Sequence, residues 1–76
     1  MVFWTIYDHP RDYPEHFVVR AAETIAGEVR HRAECRLART LDEARSLLPR
    51  NVTPMPLFAG DDPVILEVYA EVDDRA

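Results

Sequence analysis

The sequence predicts an α+β domain, in which a small antiparallel sheet of three to four strands packs on one short α-helix at residues 41–48. Three observations predict this class. Runs at both ends of the chain are rich in β-branched and aromatic residues, as strands are. Between them lies one capped amphipathic segment, which is typical of a helix. A chain of 76 residues has room for one limited core, so we expect a single domain over 1–72 and a solvated tail at 73–76.

Charge and cysteine content narrow the setting in which the protein works. The formal net charge is −5, from 9 basic and 14 acidic residues, which disfavours general nucleic-acid binding because that binding depends on neutralising phosphates. Cys35 is the only cysteine, so we expect no disulfide within the chain and a reducing compartment. No signal peptide is visible, and no apolar run approaches the roughly 20 residues of a membrane helix. We therefore expect a soluble, cytoplasmic protein with no membrane association.

The first strand is predicted from Val2 to Tyr7. Because side chains alternate across a strand, this run places apolar residues on both of its sides. One side carries Val2, Trp4 and Ile6, and the other carries Phe3, Thr5 and Tyr7. A strand that is apolar on both sides indicates either a central position in the sheet or a strand that is covered on both faces. Pro10 and Pro14 then end the pairing, since neither has an amide proton to donate.

A second strand is predicted at residues 16–23, and the segment that overlaps and follows it, 21–39, is ambiguous. Apolar residues recur there every four positions, as on one long amphipathic helix, at Ile25, Val29, Ala33 and Leu37. Gly27 and the β-branched residues favour the alternative, which is a strand, a turn near Ala26, and another strand around 34–38. The pattern alone does not separate the two interpretations.

The helix at 41–48 is predicted by its first residues and its apolar stripe. Thr40 is a good N-cap, and Glu43, three residues later, completes a capping box. The apolar stripe consists of Leu41, Ala44, Leu47 and Leu48. Pro49 ends the helix because proline cannot supply the next amide proton. Such a short helix is held by packing more than by its own propensity.

The C-terminal part is predicted as an irregular segment followed by one strand. Residues 49–63 contain four prolines and are expected to lack regular structure. The strand is predicted from 64 to 72, with its alternate apolar residues inward at Val64, Leu66, Val68, Ala70 and Val72. Glu67 and Glu71 are then expected to face water. The predicted core draws on all of these elements: Trp4, Ile6, Phe17, Val19, Leu41, Leu47, Leu66 and Val68.

Several short motifs stand out as a set: Tyr-Asp-His-Pro at 7–10, Asp-Tyr-Pro at 12–14, Phe-Val-Val-Arg at 17–20 and Asp-Asp-Pro-Val-Ile at 61–65. Together with Thr-Leu-Asp-Glu-Ala-Arg at 40–45, this set resembles a group of short uncharacterised bacterial and phage-associated hypothetical proteins. The resemblance implies a bacterial protein and favours the two-strand interpretation of residues 21–39. It implies no activity, because the group has none assigned.

The proline-bounded loop after the first strand is the main candidate site. It carries acidic, imidazole and phenol groups at Asp8, His9, Asp12, Tyr13 and His16. A rigid polar loop often binds ligands or partners, and an Asp–His pair can move protons near neutral pH. The structural alternative is that the aspartates bond to nearby amides in turns. We therefore assign these residues to ligand or partner binding and give none of them a catalytic role.

No metal site and no cofactor are predicted. His9, His16, His31 and Cys35 are residue types that bind zinc, but no Cys-x-x-Cys or His-Glu-x-x-His motif is present. His31 and Cys35 meet only if their segment is helical. A nucleophilic role for Cys35 would need a neighbouring base to form the thiolate. We expect instead that this thiol packs in the core as a small apolar group.

An arginine-rich segment is the second candidate surface, with Arg30, Arg32, Arg36 and Arg39 close together. Such a face suits an acidic partner or a phosphate. The favoured alternative is a solvated face that balances the acidic C-terminal strand through cross-strand pairs with Glu67 and Glu71. Nucleic acid is therefore not an expected partner.

These observations lead to a small non-enzymatic protein-interaction module, which forms a homo-oligomer or binds a protein partner that the sequence does not identify. The hypothesis rests on the small size and on the lack of a convincing catalytic set. Two alternatives stay open: a small-molecule ligand or enzyme site at the residue 8–16 loop, and nucleic-acid contact through residues 30–39.

Overall fold

The computed structural model describes residues 1–57 and 64–72. Its elements, in chain order, are β1 (Val2–Asp8), β2 (Phe17–Ile25), β3 (Glu28–Ala38), α1 (Leu41–Ser46), β4 (Val52–Met55) and β5 (Ile65–Glu71). The strands form one antiparallel sheet in the order β3-β2-β1-β5-β4. The helix packs on one face of this sheet, against β2 and β3.

The predicted antiparallel sheet with one short helix is confirmed, but the sheet is larger than expected. Its described part has five strands instead of three to four, so the sheet dominates the fold. The additional strand is β4, which lies in the segment expected to be irregular and contains Pro54. A proline is tolerated in β4 because this strand is at an edge, where an amide can point away from the neighbouring strand. The predicted tail at 73–76 lies outside the described residues.

The central position of β1 is confirmed. Trp4 and Ile6 lie on the face that carries α1, where they form the buried core with Val19, Ala21, Ala38 and Ala44. The alternate residues of β1 lie on the opposite face, which we call the open face because α1 does not cover it. The open face is defined by Phe3, Thr5 and Tyr7 with their cross-strand partners Ala22, Arg20 and Val18.

A tight hairpin resolves the ambiguous segment as two strands. Ala26 and Gly27 form the turn, with φ values of 51° and 82°, and Ile25 pairs with Glu28 across it. Two positive φ angles match the twist of the flanking strands, which explains why this turn closes a hairpin. The four-residue apolar periodicity does not mark a core stripe, since Ile25 is 50% exposed and Val29 is 61% exposed.

The helix begins as predicted and ends earlier. The hydroxyl of Thr40 accepts a hydrogen bond from the amide of Glu43 at 3.1 Å, which caps the first turn. The helix ends at Ser46, two residues before the predicted end, with Leu47 as the C-cap. Leu47 and Leu48 still pack against the core, so the apolar stripe extends beyond the helical backbone. A residue boundary at a helix end depends on such local turns, which an apolar stripe does not record.

The side of β5 that meets the α1 face is opposite to the prediction. Ile6 pairs with Glu67, whereas Tyr7 pairs with Ile65, so a bulge at this point shifts the register. Alternation from Glu67 then places two further residues, Tyr69 and Glu71, on the α1 face. The expectation that Glu67 and Glu71 face water is therefore wrong.

Polar groups finish the α1 face of β5 where apolar ones were expected. The indole Nε1 of Trp4 donates to Oε1 of Glu71 at 2.8 Å, and Tyr69 packs against the core. Leu66 and Val68 were predicted in the core, but both are half-buried and lie outside it. Val68 lies outside the core because it pairs with Thr5 and therefore belongs to the open face.

Candidate binding pocket between the loop and the open face

The loop between β1 and β2 is held by its own backbone hydrogen bonds. The amide of His9 donates to the carbonyl of His16 at 3.1 Å, and the amide of Tyr13 donates to the carbonyl of Pro10 at 2.9 Å. The amide of His16 donates to the carbonyl of Tyr13 at 3.2 Å. Pro10 itself is buried. The backbone of the loop is therefore a fixed part of the fold.

One part of the predicted site lies on the α1 side of the sheet. Asp8 follows Trp4 and Ile6 in the alternation of β1, and its carboxylate contacts Nδ1 of His9. The ring of His9 packs edge-on against the ring of Phe17, with 4.8 Å between the centroids. Both side chains of the Asp8–His9 pair are more than two-fifths exposed, at 46% and 42%. This pair is an open surface contact.

The other part of the predicted site lies on the open face. Asp12 forms an ion pair with Arg20, and Sγ of Cys35 donates to the hydroxyl of Tyr13 across 3.7 Å. Arg20 and Cys35 are cross-strand partners in β2 and β3, so the loop is attached to the sheet at two adjacent points. The hydrogen bond with Asp12 raises the pKa of Arg20 above its usual value, and that with Cys35 raises the pKa of Tyr13.

The five predicted loop residues therefore do not form one cluster. Asp8 and His9 lie on one side of the sheet, and Asp12 and Tyr13 lie on the other. His16 contributes to the loop through the backbone hydrogen bonds given above. Asp12 and Tyr13 anchor the loop, which is close to the structural alternative that the sequence offered. Asp12 does so through an arginine side chain, however, whereas the sequence suggested backbone amides.

A pocket of about 540 Å³ lies between the loop and the open face. It is lined by Tyr7, Pro10, Arg11, Arg20 and Val64. None of these five was among the predicted site residues. The signal that could have found two of them is the alternation of the strands, which puts Tyr7 and Arg20 on the same face of neighbouring strands.

Two guanidinium groups and an aromatic ring give the pocket its chemistry. The guanidinium carbon of Arg20 lies 5.6 Å from the centroid of the Tyr7 ring, within the range of a cation–π contact. Arg11 is exposed and makes no ion pair or hydrogen bond within the described residues. Val64 is held in place by β1, because the amide of Asp8 donates to its carbonyl at 2.7 Å. The pocket thus combines apolar walls with positive charge.

The open face beyond the pocket is partly apolar. Val18 is completely buried, and its cross-strand partner Leu37 is 39% exposed. Met55 lies opposite Val68 and is 38% exposed. The open face therefore carries exposed apolar side chains outside the pocket as well.

Arginines of the arginine-rich segment form ion pairs with glutamates of β2 and β3. Arg30, Arg32 and Arg36 pair with Glu28, Glu23 and Glu34. The expected cross-strand pairs with Glu67 and Glu71 are wrong, because β2 and β1 lie between β3 and β5. Arg39 is exposed, next to the N-cap of α1.

Arg36 has a structural role in addition to its ion pair. Its guanidinium carbon lies 5.1 Å from the ring centroid of Trp4, and Nη1 donates to the carbonyl of Leu47 at 2.5 Å. The side chain therefore closes the core edge and binds a carbonyl at the end of α1. Together with the ion pairs of its neighbours, this leaves little of the arginine row available for a phosphate backbone.

Cys35 is a free thiol and is only half-buried. The predicted position in the core is therefore not fully reached. Over residues 1–57 and 64–72, no three His, Cys, Asp or Glu side chains gather as a metal site would require. The same residues include no helix with the length and apolar character needed to cross a membrane.

Comparisons with known proteins leave the geometry as the basis for assigning a function. No family model, curated protein or solved structure matches the chain.

Proposed function

We propose that the protein is a non-enzymatic binding module that recognises an anionic group in the pocket between the loop and the open face. One observation carries the proposal: two guanidinium groups, of Arg11 and Arg20, border the same pocket. Arg20 is already paired with Asp12, whereas Arg11 has no acidic partner within the described residues. A guanidinium group presents a fork of N–H donors that suits carboxylate and phosphate oxygens.

The charge of the protein as a whole sets a condition on this proposal. The formal net charge of −5 opposes the approach of anions, so a site that binds one needs cationic groups close to it. An anion would therefore be drawn to the pocket by local contacts with Arg11 and Arg20, and binding should weaken as salt is added.

Binding is favoured over catalysis by the position of the Asp8–His9 pair. A general acid or base must come within hydrogen-bond reach of the reacting group. The Asp8–His9 pair is on the α1 side, and the pocket is on the open face, beside Tyr7 and Arg20. The pair and the pocket therefore do not supply one active site together.

Nucleic-acid contact, which was one of the alternatives, and self-association, which was part of the leading hypothesis from the sequence, have less support. Nucleic-acid contact through residues 30–39 competes with the ion pairs that these arginines already make. Self-association through the long edge strand β3 competes with its charged side chains and with its irregular register opposite Arg20 and Ala22, features that obstruct edge-to-edge pairing.

Anion binding is tested by titrating the ¹⁵N-labelled full chain with sodium acetate and, separately, with sodium phosphate, at constant ionic strength. We expect saturable shifts that are confined to signals of the loop and of the residues that line the pocket. Arg11→Ala should weaken binding about tenfold, which is the effect expected for one hydrogen bond to a charged group. Arg50→Ala is the matched control, because Arg50 is also exposed and does not line the pocket.

The proposal would be contradicted by shifts that do not saturate, or by shifts of the same size in Arg11→Ala and in the parent protein. Arg11 is exposed, so its replacement is not expected to disturb the fold. The dispersion of the spectrum of Arg11→Ala checks this directly.

A further inference from the structure

We infer that the anion recognised by the pocket is a carboxylate attached to a flat apolar body, such as an aromatic ring. The inference rests on the proposed function, because it names the class of ligand for the same site. It draws on three properties of the pocket that the proposal does not use: its size, the chemistry of its walls and its balance of charge.

The size of the pocket exceeds what a small inorganic anion needs. The pocket measures about 540 Å³, whereas one water takes up about 30 Å³ of liquid. Pockets for small organic ligands run from about 300 to 1,000 Å³. Phosphate alone would leave most of the volume to water, so a ligand that fills the pocket must carry a sizeable body.

The walls of the pocket favour an apolar body. Of the five described residues that line the pocket, Tyr7, Pro10 and Val64 present rings or aliphatic carbon. Tyr7 and Val64 are half-buried, and Pro10 is buried, so these walls are fixed parts of the fold. A ring packed against Tyr7 gains the offset or edge-on contact that aromatic pairs prefer, and it removes apolar surface from water.

The charge of the pocket favours a single negative charge. Asp12 compensates one of the two guanidinium groups, that of Arg20, and leaves Arg11 as the uncompensated cation within the described residues. A carboxylate carries one negative charge and two oxygens in a plane, which matches one guanidinium fork. A phosphate dianion would bring a second charge, for which the described lining offers no further unpaired cation.

A free small-molecule acid and the C-terminal residue of a polypeptide share this chemistry. An aromatic residue at a free C-terminus presents a carboxylate and a ring a few bonds apart, as 3-phenylpropionate does. The experiment therefore compares these two sources of the same group.

The test extends the NMR titration of the full chain to a matched series of probes. These are 3-phenylpropionate, its neutral analogue 3-phenylpropanamide, acetate and phosphate. We expect 3-phenylpropionate to bind at least about tenfold more tightly than acetate, since each buried methylene contributes to affinity and a ring buries several such groups. Binding should weaken by about tenfold in the neutral analogue, which cannot form the charged pair with Arg11.

Two variants separate the carboxylate from the ring. Arg11→Ala should weaken acetate and 3-phenylpropionate alike, whereas Tyr7→Leu should weaken only 3-phenylpropionate. Arg50→Ala again serves as the control and should change neither. Should Tyr7→Leu fail to fold, the comparison of 3-phenylpropionate with acetate on the parent protein decides the same question.

A peptide that ends in phenylalanine, with its C-terminus free or amidated, identifies the source. Tighter binding of the free form than of 3-phenylpropionate assigns the site to a polypeptide C-terminus, and weaker binding assigns it to a small-molecule acid. Phosphate that binds as tightly as 3-phenylpropionate, with both lost in Arg11→Ala, would overturn the inference and leave the proposed function standing. The absence of any saturable shift with all of these anions would overturn both.

Discussion

The guanidinium group of Arg45 in α1 binds both carboxylate oxygens of Glu67 in β5, at 2.9 Å from Nε and 2.5 Å from Nη2. The hydroxyl of Tyr69 donates to the same carboxylate at 2.7 Å. The side chain of Glu67 is 24% exposed, and it connects the helix to a strand that is far from it in sequence. Glu67 was expected to face water, but its side chain connects α1 to β5.

This contact predicts a pH dependence of stability. The hydrogen bond from Arg45 lowers the pKa of Glu67 below its usual value, and the bond from Tyr69 adds to this effect. Because the folded-state pKa is depressed, the stabilisation is present above the pKa of the unfolded chain and is lost as the pH falls through the lowered pKa. The free energy of unfolding of the parent protein should therefore decrease towards acid more steeply than that of Glu67→Gln.

Urea unfolding at a series of pH values between about 6 and 3 measures this difference, since carboxylates titrate in that range. Glu28→Gln is the control, because Glu28 is exposed and its surface pair with Arg30 is loose, with 3.9 Å between Oε2 of Glu28 and Nη2 of Arg30. It should keep the pH dependence of the parent. Identical pH profiles for Glu67→Gln and the parent would show that the contact does not act in this way.

The capping hydroxyl of Thr40 predicts a loss of stability on its removal. Thr40→Ala leaves the amide of Glu43 without its hydrogen bond and should lower the free energy of unfolding by about 1 kcal/mol. Thr40→Ser keeps the hydroxyl and should keep most of the stability. Urea unfolding followed by circular dichroism measures both variants, and equal stability of the Ala and Ser variants would contradict a capping role.

The buried position of Ile6 predicts a cost for losing a single methyl group. Ile6 is completely buried at the centre of the sheet, whereas Ile25 is 50% exposed at the end of β2. Ile6→Val should lower the free energy of unfolding by about 1 kcal/mol, because the removed methyl leaves a small cavity. Ile25→Val is the same chemical change at an exposed site and should have almost no effect. A larger cost at Ile25 would mean that the core lies elsewhere.

The hairpin turn predicts a substitution that stabilises the protein. Ala26 has a φ of 51°, a left-handed conformation that costs an L-residue with a Cβ roughly 1–2 kcal/mol. Asparagine tolerates this region and precedes glycine in the favoured two-residue turn, so Ala26→Asn should raise the free energy of unfolding by up to about 1 kcal/mol. Thermal and urea unfolding measure the change.

Gly27→Ala provides the opposite control at the same turn. A Cβ at Gly27 would meet no atom within 4 Å, so any loss comes from its φ of 82° and not from a clash. We expect this variant to be less stable than the parent. Stabilisation by Gly27→Ala, or destabilisation by Ala26→Asn, would be inconsistent with the turn described above.

The elements that could be predicted are those whose cause is local. The N-cap at Thr40 acts within four residues, and the apolar residues on both sides of β1 favour a central strand without reference to any partner. The hairpin at Ala26 and Gly27 was one of two interpretations, because an apolar spacing of four residues is compatible with a helix when exposure is unknown. β4 was missed because its pairing with β5 overrides the local effect of Pro54.

The candidate site could be predicted only in part. The loop at 8–16 was recognised from its composition, and it does border the pocket through Pro10 and Arg11. Tyr7, Arg20 and Val64 come from separate parts of the chain. They meet only when β1 pairs with β2 and when the amide of Asp8 donates to the carbonyl of Val64. No local motif records that meeting.

By itself, the sequence determined where β1 and α1 begin, because side-chain alternation and a capping hydroxyl act between near neighbours. Only the tertiary structure decided which side of each strand is covered. Alternation defines two faces of β5, but the pairing of Glu67 with Ile6 determines which one meets Arg45 and α1. Contacts between distant parts of the chain also bring Tyr7, Arg11 and Arg20 around one pocket. No local segment of the sequence contains these contacts.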